Sequence, residues 1–282
     1  MFPTPIEKSS RGWQLGYQGL LPVALIAWLL PLIAVAVFSM KPDVDFTAGN
    51  YWGVPSRFAG FENYAKVFFE SDMPRYLMNS ILITVPTVIG AVALSCMTGF
   101  ALGIYRFRSN LWIFFMFVAG NFVPFQILMV PVRDLTLGLG LYNTKLGLVL
   151  FHVAFQTGFC TLFMRNFIRA LPFELIEAAR VEGVAEWRIF WFVVLPLMKP
   201  AIAALAVLIF TFIWNDYFWA VVLTQGVESQ PVTAGITSFN AQYRAAYHLM
   251  SAGSIVAALP PVAMFFLMQK HFIAGLTLGA VK

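Results

Sequence analysis

Residues 201–210 read AIAALAVLIF, ten apolar side chains without a break. A strand with one wet face would alternate, so such a run belongs to a segment buried on all sides or surrounded by hydrocarbon. Working outward, the apolar stretch extends over Ala201–Gln225, long enough for the roughly 20 residues that cross a bilayer core. Five other stretches are set apart by polar flanks: Leu20–Met40, Tyr76–Tyr105, Leu111–Val132, Leu146–Phe167 and Met250–Phe272. Tyr76–Tyr105 is long enough to tilt or to extend past the membrane. Composition agrees, with 60% of residues hydrophobic and 11% charged, against about one-quarter charged in soluble domains. A transmembrane barrel would alternate in segments of about ten residues, and these runs do not. The chain reads as an all-α, polytopic membrane protein with six transmembrane helices.

The first stretch exceeds the usual apolar core of a secretory signal, and Lys41-Pro42 stands where a small-residue cleavage site would lie, so it reads as a retained anchor. Cys96 and Cys160 fall in separate spans and read as small packing residues rather than as a disulfide framework. Lys and Arg set the orientation. With the N-terminus inside, eleven of them (including Arg106, Arg108, Arg165, Arg169, Arg180 and Arg188) are cytoplasmic and seven are outside. The net charge of +5 is then ordinary membrane topology, with no clustered basic stripe to suggest nucleic acid.

The connection Arg165–Pro200 is long for a link between two spans. Leu171-Pro172 is a helix start, Glu174 and Glu177 place negative charge near its positive end, and Gly183 closes it. A second helix restarts at Ala185–Val194, until Pro196 and Pro200 interrupt it. On the first helix Leu171, Leu175, Ala178, Ala179 and Glu182 mark one side, and Glu174, Glu177 and Val181 another. Spacing alone leaves two readings open, a hairpin packed on its own bundle or a docking element for a partner.

The pattern Glu177-Ala178-Ala179, Gly183 after three more residues, and Val193-Val194-Leu195-Pro196 after nine more resembles the EAA loop of binding-protein-dependent ABC importer permeases. Val193 replaces the family's common isoleucine, and Glu182 stands where the sugar-importer branch often has aspartate. Other stretches are similar in the same order: Phe61-Glu62-Asn63-Tyr64, Asn79-Ser80, Val123-Pro124-Phe125-Gln126 with Pro131, Phe212-Ile213-Trp214-Asn215-Asp216-Tyr217, and the ending Gly275-Leu276-Thr277 with Gly279-Ala280-Val281-Lys282. Together they point to the carbohydrate-uptake branch and its six-span, maltose-permease-like subunit.

The resemblance implies a type I importer permease fold in the bacterial inner membrane, with both termini cytoplasmic. Residues 1–74 would form the N-terminal segment, first span and periplasmic loop, 75–272 the permease core with its coupling loop 165–200, and 273–282 a cytoplasmic tail. It implies that Glu177, Ala178, Ala179 and Gly183 form the coupling helix that sits in a cleft of an ATPase subunit. The implied partners are a second homologous permease, two ATPase subunits that bind ATP and Mg, and a periplasmic binding protein delivering a sugar, oligosaccharide or glycoside. This chain itself would carry no cofactor.

Polar groups at membrane depth face the bundle interior. Asn121, Gln126, Trp214, Asn215, Asp216 and Tyr217 are therefore expected to border the translocation pathway, with interhelical hydrogen bonding as the competing role for Asn121 and Gln126. The loop Gly226–Leu249 reads either as a contact for the binding protein or as a flexible connection. His152, His248 and His271 are far apart in sequence, and neither HExxH nor a GxxxxGK[ST] phosphate loop occurs, so no catalytic or metal site is expected. An ion-coupled secondary transporter is the alternative; it would need ionisable residues inside the membrane, and Asp216 is the one carboxylate clearly within a span.

Overall fold

The computed structural model describes residues 10–239 and 246–278, the last helix by its backbone alone beyond 269. Every regular element among them is helical, as hydrocarbon requires when each backbone polar group must find its partner within its own segment. In chain order these are α1 (Arg11–Met40), α2 (Asp43–Thr47), α3 (Gly60–Phe69), α4 (Met73–Ile104) and α5 (Asn110–Gly120). A 3-10 turn at Phe125–Leu128 leads into α6 (Met129–Gly138), followed by α7 (Lys145–Ile168) and α8 (Phe173–Val181). Then come α9 (Glu186–Arg188), a π-turn at Ile189–Val194, α10 (Leu195–Leu197), α11 (Lys199–Trp214), α12 (Phe218–Leu223), α13 (Val232–Gly235) and α14 (Tyr247–Leu278).

Among the described residues four helices are long and apolar enough to cross a membrane, and the count reaches six if each of two bent pairs crosses as one span. The third expected span is not continuous: α5 and the Phe125–Gly138 segment meet at 88°. Pro124 lacks a donor and bars helical geometry for Val123, so the chain turns there. The fifth expected span, Ala201–Gln225, stops at Trp214 and resumes as α12 after an unwound Asn215–Tyr217. Pro196 does not end its helix. The π-turn just before it widens the coil around the missing N–H, and the 73° bend comes between Leu197 and Lys199 instead.

The described residues fall into two compact units. One holds those of Met1–Ser71 and Phe239–Val256, the other Asp72–Ser238 and Ala257–Lys282. In the first unit the residues after α1 are tied down by polar groups. Asn63 donates to Ser39 O at 2.9 Å and Lys41 O at 2.8 Å, and Tyr64 OH donates to Ser39 Oγ at 3.2 Å. The Phe61–Tyr64 stretch thus satisfies carbonyls that a helix end leaves orphaned. Lys41 is buried and donates to Asn50 O and Tyr51 O.

The second unit is built on α4 and α7, which pack along their lengths with α11 against both. Gly99 and Gly103, one turn apart on α4, make the close approach possible. A methyl group at Gly99 would lie 2.9 Å from Met164 Cβ and 3.0 Å from Arg165 N, and one at Gly103 would lie 3.1 Å from Ile168 Cγ2. Small residues at such a seam let backbones approach where lipid supplies no hydrophobic drive. Thr98 and Thr161 share a 2.7 Å hydroxyl hydrogen bond across it. Cys96 and Cys160 are buried there as free thiols. Asn79 donates to Val227 O and Gln230 O, and Ser80 Oγ accepts from Val232 N, so the Asn79-Ser80 pair pins the backbone after α12 to α4. Residues 227–232 of that loop are thereby held against α4; residues 240–245 lie outside the described residues, as do 279–282.

Candidate functional site

A cavity of about 440 Å³ opens inside the second unit, walled by α7 and α11 together with Asn121 at the C-cap of α5, Phe125, Asp216 and Trp219. Of the residues expected from sequence it takes Asn121 and Asp216. Asn121 ends α5, its amide donating to Phe117 O at 2.9 Å. Asp216 sits in the unwound turn and accepts from the N–H groups of Trp219 (3.4 Å) and Ala220 (3.0 Å), whose positive helix end holds the carboxylate. Thr233 Oγ1 donates to its carbonyl at 2.6 Å and fixes the turn.

The other expected residues do not line the cavity. Trp214 is buried, stacked on Phe210 with its Nε1 donating to Ala257 O at 2.9 Å, which makes it a packing residue. Asn215 donates back to Thr211 O and is exposed, as are Gln126 on the 3-10 turn and Tyr217.

Sequence reading missed one wall. His152, Phe155, Gln156 and Phe159 all line the cavity from α7. Their spacing of i, i+3, i+4 and i+7 is one helical face, and that spacing was the available signal. His152, far from the other histidines in sequence, comes beside Asp216 in the fold. Its Nε2 is 3.4 Å from Asp216 Oδ2, and this buried atom has no hydrogen-bond partner. The geometry leaves one polar atom to be satisfied by whatever occupies the space. Aromatic faces (Phe125, Phe155, Phe159, Phe212 and Trp219) supply the remaining surface. Among the described residues no group of three His, Cys, Asp or Glu side chains is placed to hold a metal.

The second candidate element is the α8 turn. Gly183 has φ +75°, as its place past a helix end required. Gly183 N donates to Arg180 O and Val184 N to Ala179 O, both at 3.0 Å, the paired bonds of a Schellman cap. Ile176 is the buried residue of α8, and Ala179 also packs on the core. Leu175 and Ala178 are exposed together with Glu174, Glu177, Val181 and Glu182. Arg180 forms a two-pronged pair with Glu186 (Nε–Oε1 2.7 Å, Nη2–Oε2 3.1 Å), and Tyr105 OH donates to the same carboxylate at 2.7 Å. The Glu186 hydrogen bond raises the Arg180 pKa above its ordinary value. One contact set therefore joins the end of α4, α8 and α9.

Residues 91–277 match the family described as binding-protein-dependent transport system inner membrane component. The chain is 32% identical to the osmoprotective compounds uptake permease protein GgtD of Synechocystis sp., over 93% of this chain and 90% of that one. It is 31% identical to the arabinooligosaccharides transport system permease protein AraQ of Halalkalibacterium halodurans, with 92% and 93% covered. Its fold matches, at TM-score 0.81 and 22% identity, a chain from the crystal structure of a bacterial ABC transporter involved in the import of the acidic polysaccharide alginate, covering 95% of this chain and 100% of that one. On the family match and these relatives, the chain belongs to the inner membrane components of binding-protein-dependent transport systems, the non-catalytic permease subunits of ABC importers.

Proposed function

We propose that this chain pairs with a second, related permease to carry a sugar, oligosaccharide or glycoside, delivered by a periplasmic binding protein and driven by two ATPase subunits that bind ATP and Mg. The observation that carries the solute assignment is the cavity. Aromatic faces beside Asn121, Gln156 and Asp216 suit a polyhydroxylated ring, which offers apolar C–H faces and hydroxyls at its edge. The volume of about 440 Å³ lies within the range of about 300–1,000 Å³ usual for small-molecule sites. An arabinooligosaccharide permease among the relatives supports the same solute class.

Gln126, Asn215 and Tyr217 are exposed in the single chain on segments within or beside the apolar stretches. Polar groups there need a water-filled path or a protein partner, so a pathway shared with a second permease accounts for them. With both termini cytoplasmic, the α8 turn faces the ATPase. Glu177 and Ala178 on its open side then contact the partner, while Ala179 and Gly183 fix the helix and its angle.

The test is solute protection of single cysteines against a thiol reagent in the assembled transporter; the buried Cys96 and Cys160 give a low background. Asn121→Cys and Gln156→Cys should be protected by the transported solute and Trp214→Cys should not. Absence of protection at both cavity positions would remove the cavity from the pathway.

A further inference from the structure

A second cavity of the second unit lies apart from the residues of that solute site. It measures about 660 Å³ and lies where α4 and α7 end and α5 begins. Arg106, Arg108, Arg165 and Arg169 all line it, and no Asp or Glu does. Arg165 is 8% exposed, with its Nε donating to Leu102 O at 3.1 Å and its guanidinium lying 3.9 Å from the centre of the Phe114 ring. Among the described residues Arg106, Arg108 and Arg169 make no ion pair, and the terminal nitrogens of Arg165 have no protein acceptor. The excess of cations at one end of the bundle is ordinary topology, but their convergence on one cavity is not required by it. Four like charges around a shared space, one of them largely desolvated, are a cost that an anion in that space relieves. Guanidinium groups suit phosphate, which they bind through paired hydrogen bonds.

The surroundings decide which phosphate. Leu111 lines the same cavity, and Leu111 and the adjacent Trp112 are 55% and 75% exposed on the first turn of α5. Phe114 is the one buried residue of that helix, so an apolar, outward-facing strip leads from the arginines along the span. A free phosphate has no use for such a strip, whereas a lipid's acyl chain does. We propose that this cavity binds the phosphate headgroup of an anionic phospholipid, whose chains lie along α5. The proposed orientation decides only which leaflet supplies the lipid.

The test uses the whole transporter, purified with its partner subunits from bilayers of equal phosphatidylglycerol and phosphatidylcholine. Native mass spectrometry then counts the lipid retained on this chain. Wild type should retain phosphatidylglycerol at least about fivefold over phosphatidylcholine, unaffected by millimolar inorganic phosphate. The variant R106Q/R108Q/R169Q should lose that preference while R106K/R108K/R169K keeps most of it, Arg165 being left intact because it is packed. Equal retention of the two lipids by wild type would overturn the proposal. So would full displacement by inorganic phosphate, which would mark a soluble-anion site, or a crosslink from these arginine positions to an acidic segment of the ATPase in place of lipid. Detergent retention does not depend on leaflet or on transport, so this site and the solute cavity fail separately.

Discussion

Replacing Gly183 by valine changes the turn after α8 at one point whose cost can be worked out. A methyl group built on Gly183 meets no atom within 4 Å, so the penalty contains no crowding from this chain. What remains is the positive φ of +75°, which costs an L-residue about 1–2 kcal/mol and is worst for a β-branched one. The turn can escape by opening, but it then gives up the bonds Gly183 N–Arg180 O and Val184 N–Ala179 O, each worth about 0.5–1.5 kcal/mol net. Either route costs about 1–2 kcal/mol or more, a factor of roughly 5–30 in an equilibrium. If the ATPase recognises the closed turn, docking must repay that cost. Titrating ATPase subunits onto the permease pair in nanodiscs and reading solute-stimulated ATP hydrolysis should therefore show a 5–30-fold rightward shift for Gly183→Val. Membrane insertion and thermal unfolding of the bundle should be unchanged. Gly183→Asn should shift by less than about threefold, because asparagine tolerates this region, as Asn143 does at φ 58°. A Gly183→Val curve that overlays wild type would refute the reasoning. Equal losses for Ala, Asn and Val would instead put the effect on bulk pressed against the partner.

Three further outcomes are expected. Gly99→Ala should force α4 and α7 apart, since its methyl group would sit 2.9 Å from Met164 Cβ, and should lower stability by about 1–3 kcal/mol; Gly16→Ala, with open space around it, is the control, and equal thermal stability of the two variants would contradict the packing. The Arg180–Glu186 pair is 32% and 42% exposed, so a double-mutant cycle on detergent stability should give no more than about 1 kcal/mol, while Glu186→Ala lowers stimulated ATP hydrolysis by freeing α8; an uncoupled cycle together with normal stimulation would show that this pair does not hold α8. Asp216→Ala should cut uptake by removing the acceptor for the N–H groups of Trp219 and Ala220, and Asp216→Asn, which keeps an acceptor oxygen, should retain more of it; identical uptake rates for the two would show that capping is not the role of the carboxylate.

The helical class was legible because runs such as Ala201–Phe210 allow nothing else at membrane depth. Gly183 was legible for a similar reason, since a helix needs a left-handed residue to close and glycine accepts that conformation. The broken third span was half visible: Pro124 was present in the sequence, but an 88° turn depends on how Phe125–Leu128 repacks, and hydropathy windows average over that. Pro196 misled because a π-turn absorbed it. Contacts across long sequence separation were beyond reach. His152 meets Asp216, and Tyr105 meets Glu186, only because α4, α7 and α11 pack side by side. Once α7 is a helix, the single face of His152, Phe155, Gln156 and Phe159 can be read from spacing alone. The inward residue of α8 was not legible, since Leu175 and Ile176 are equally apolar and the tertiary context selects Ile176.

The most direct measurement of the central claim is uptake of a labelled neutral oligosaccharide into proteoliposomes that contain this chain, its partner permease and ATPase subunits, with the binding protein outside and ATP within. Accumulation should require ATP and the binding protein, be indifferent to proton and sodium ionophores, and fall sharply for Glu177→Ala at equal reconstitution. Uptake that continues without ATP, and that collapses instead when the ion gradient is dissipated, would contradict that claim.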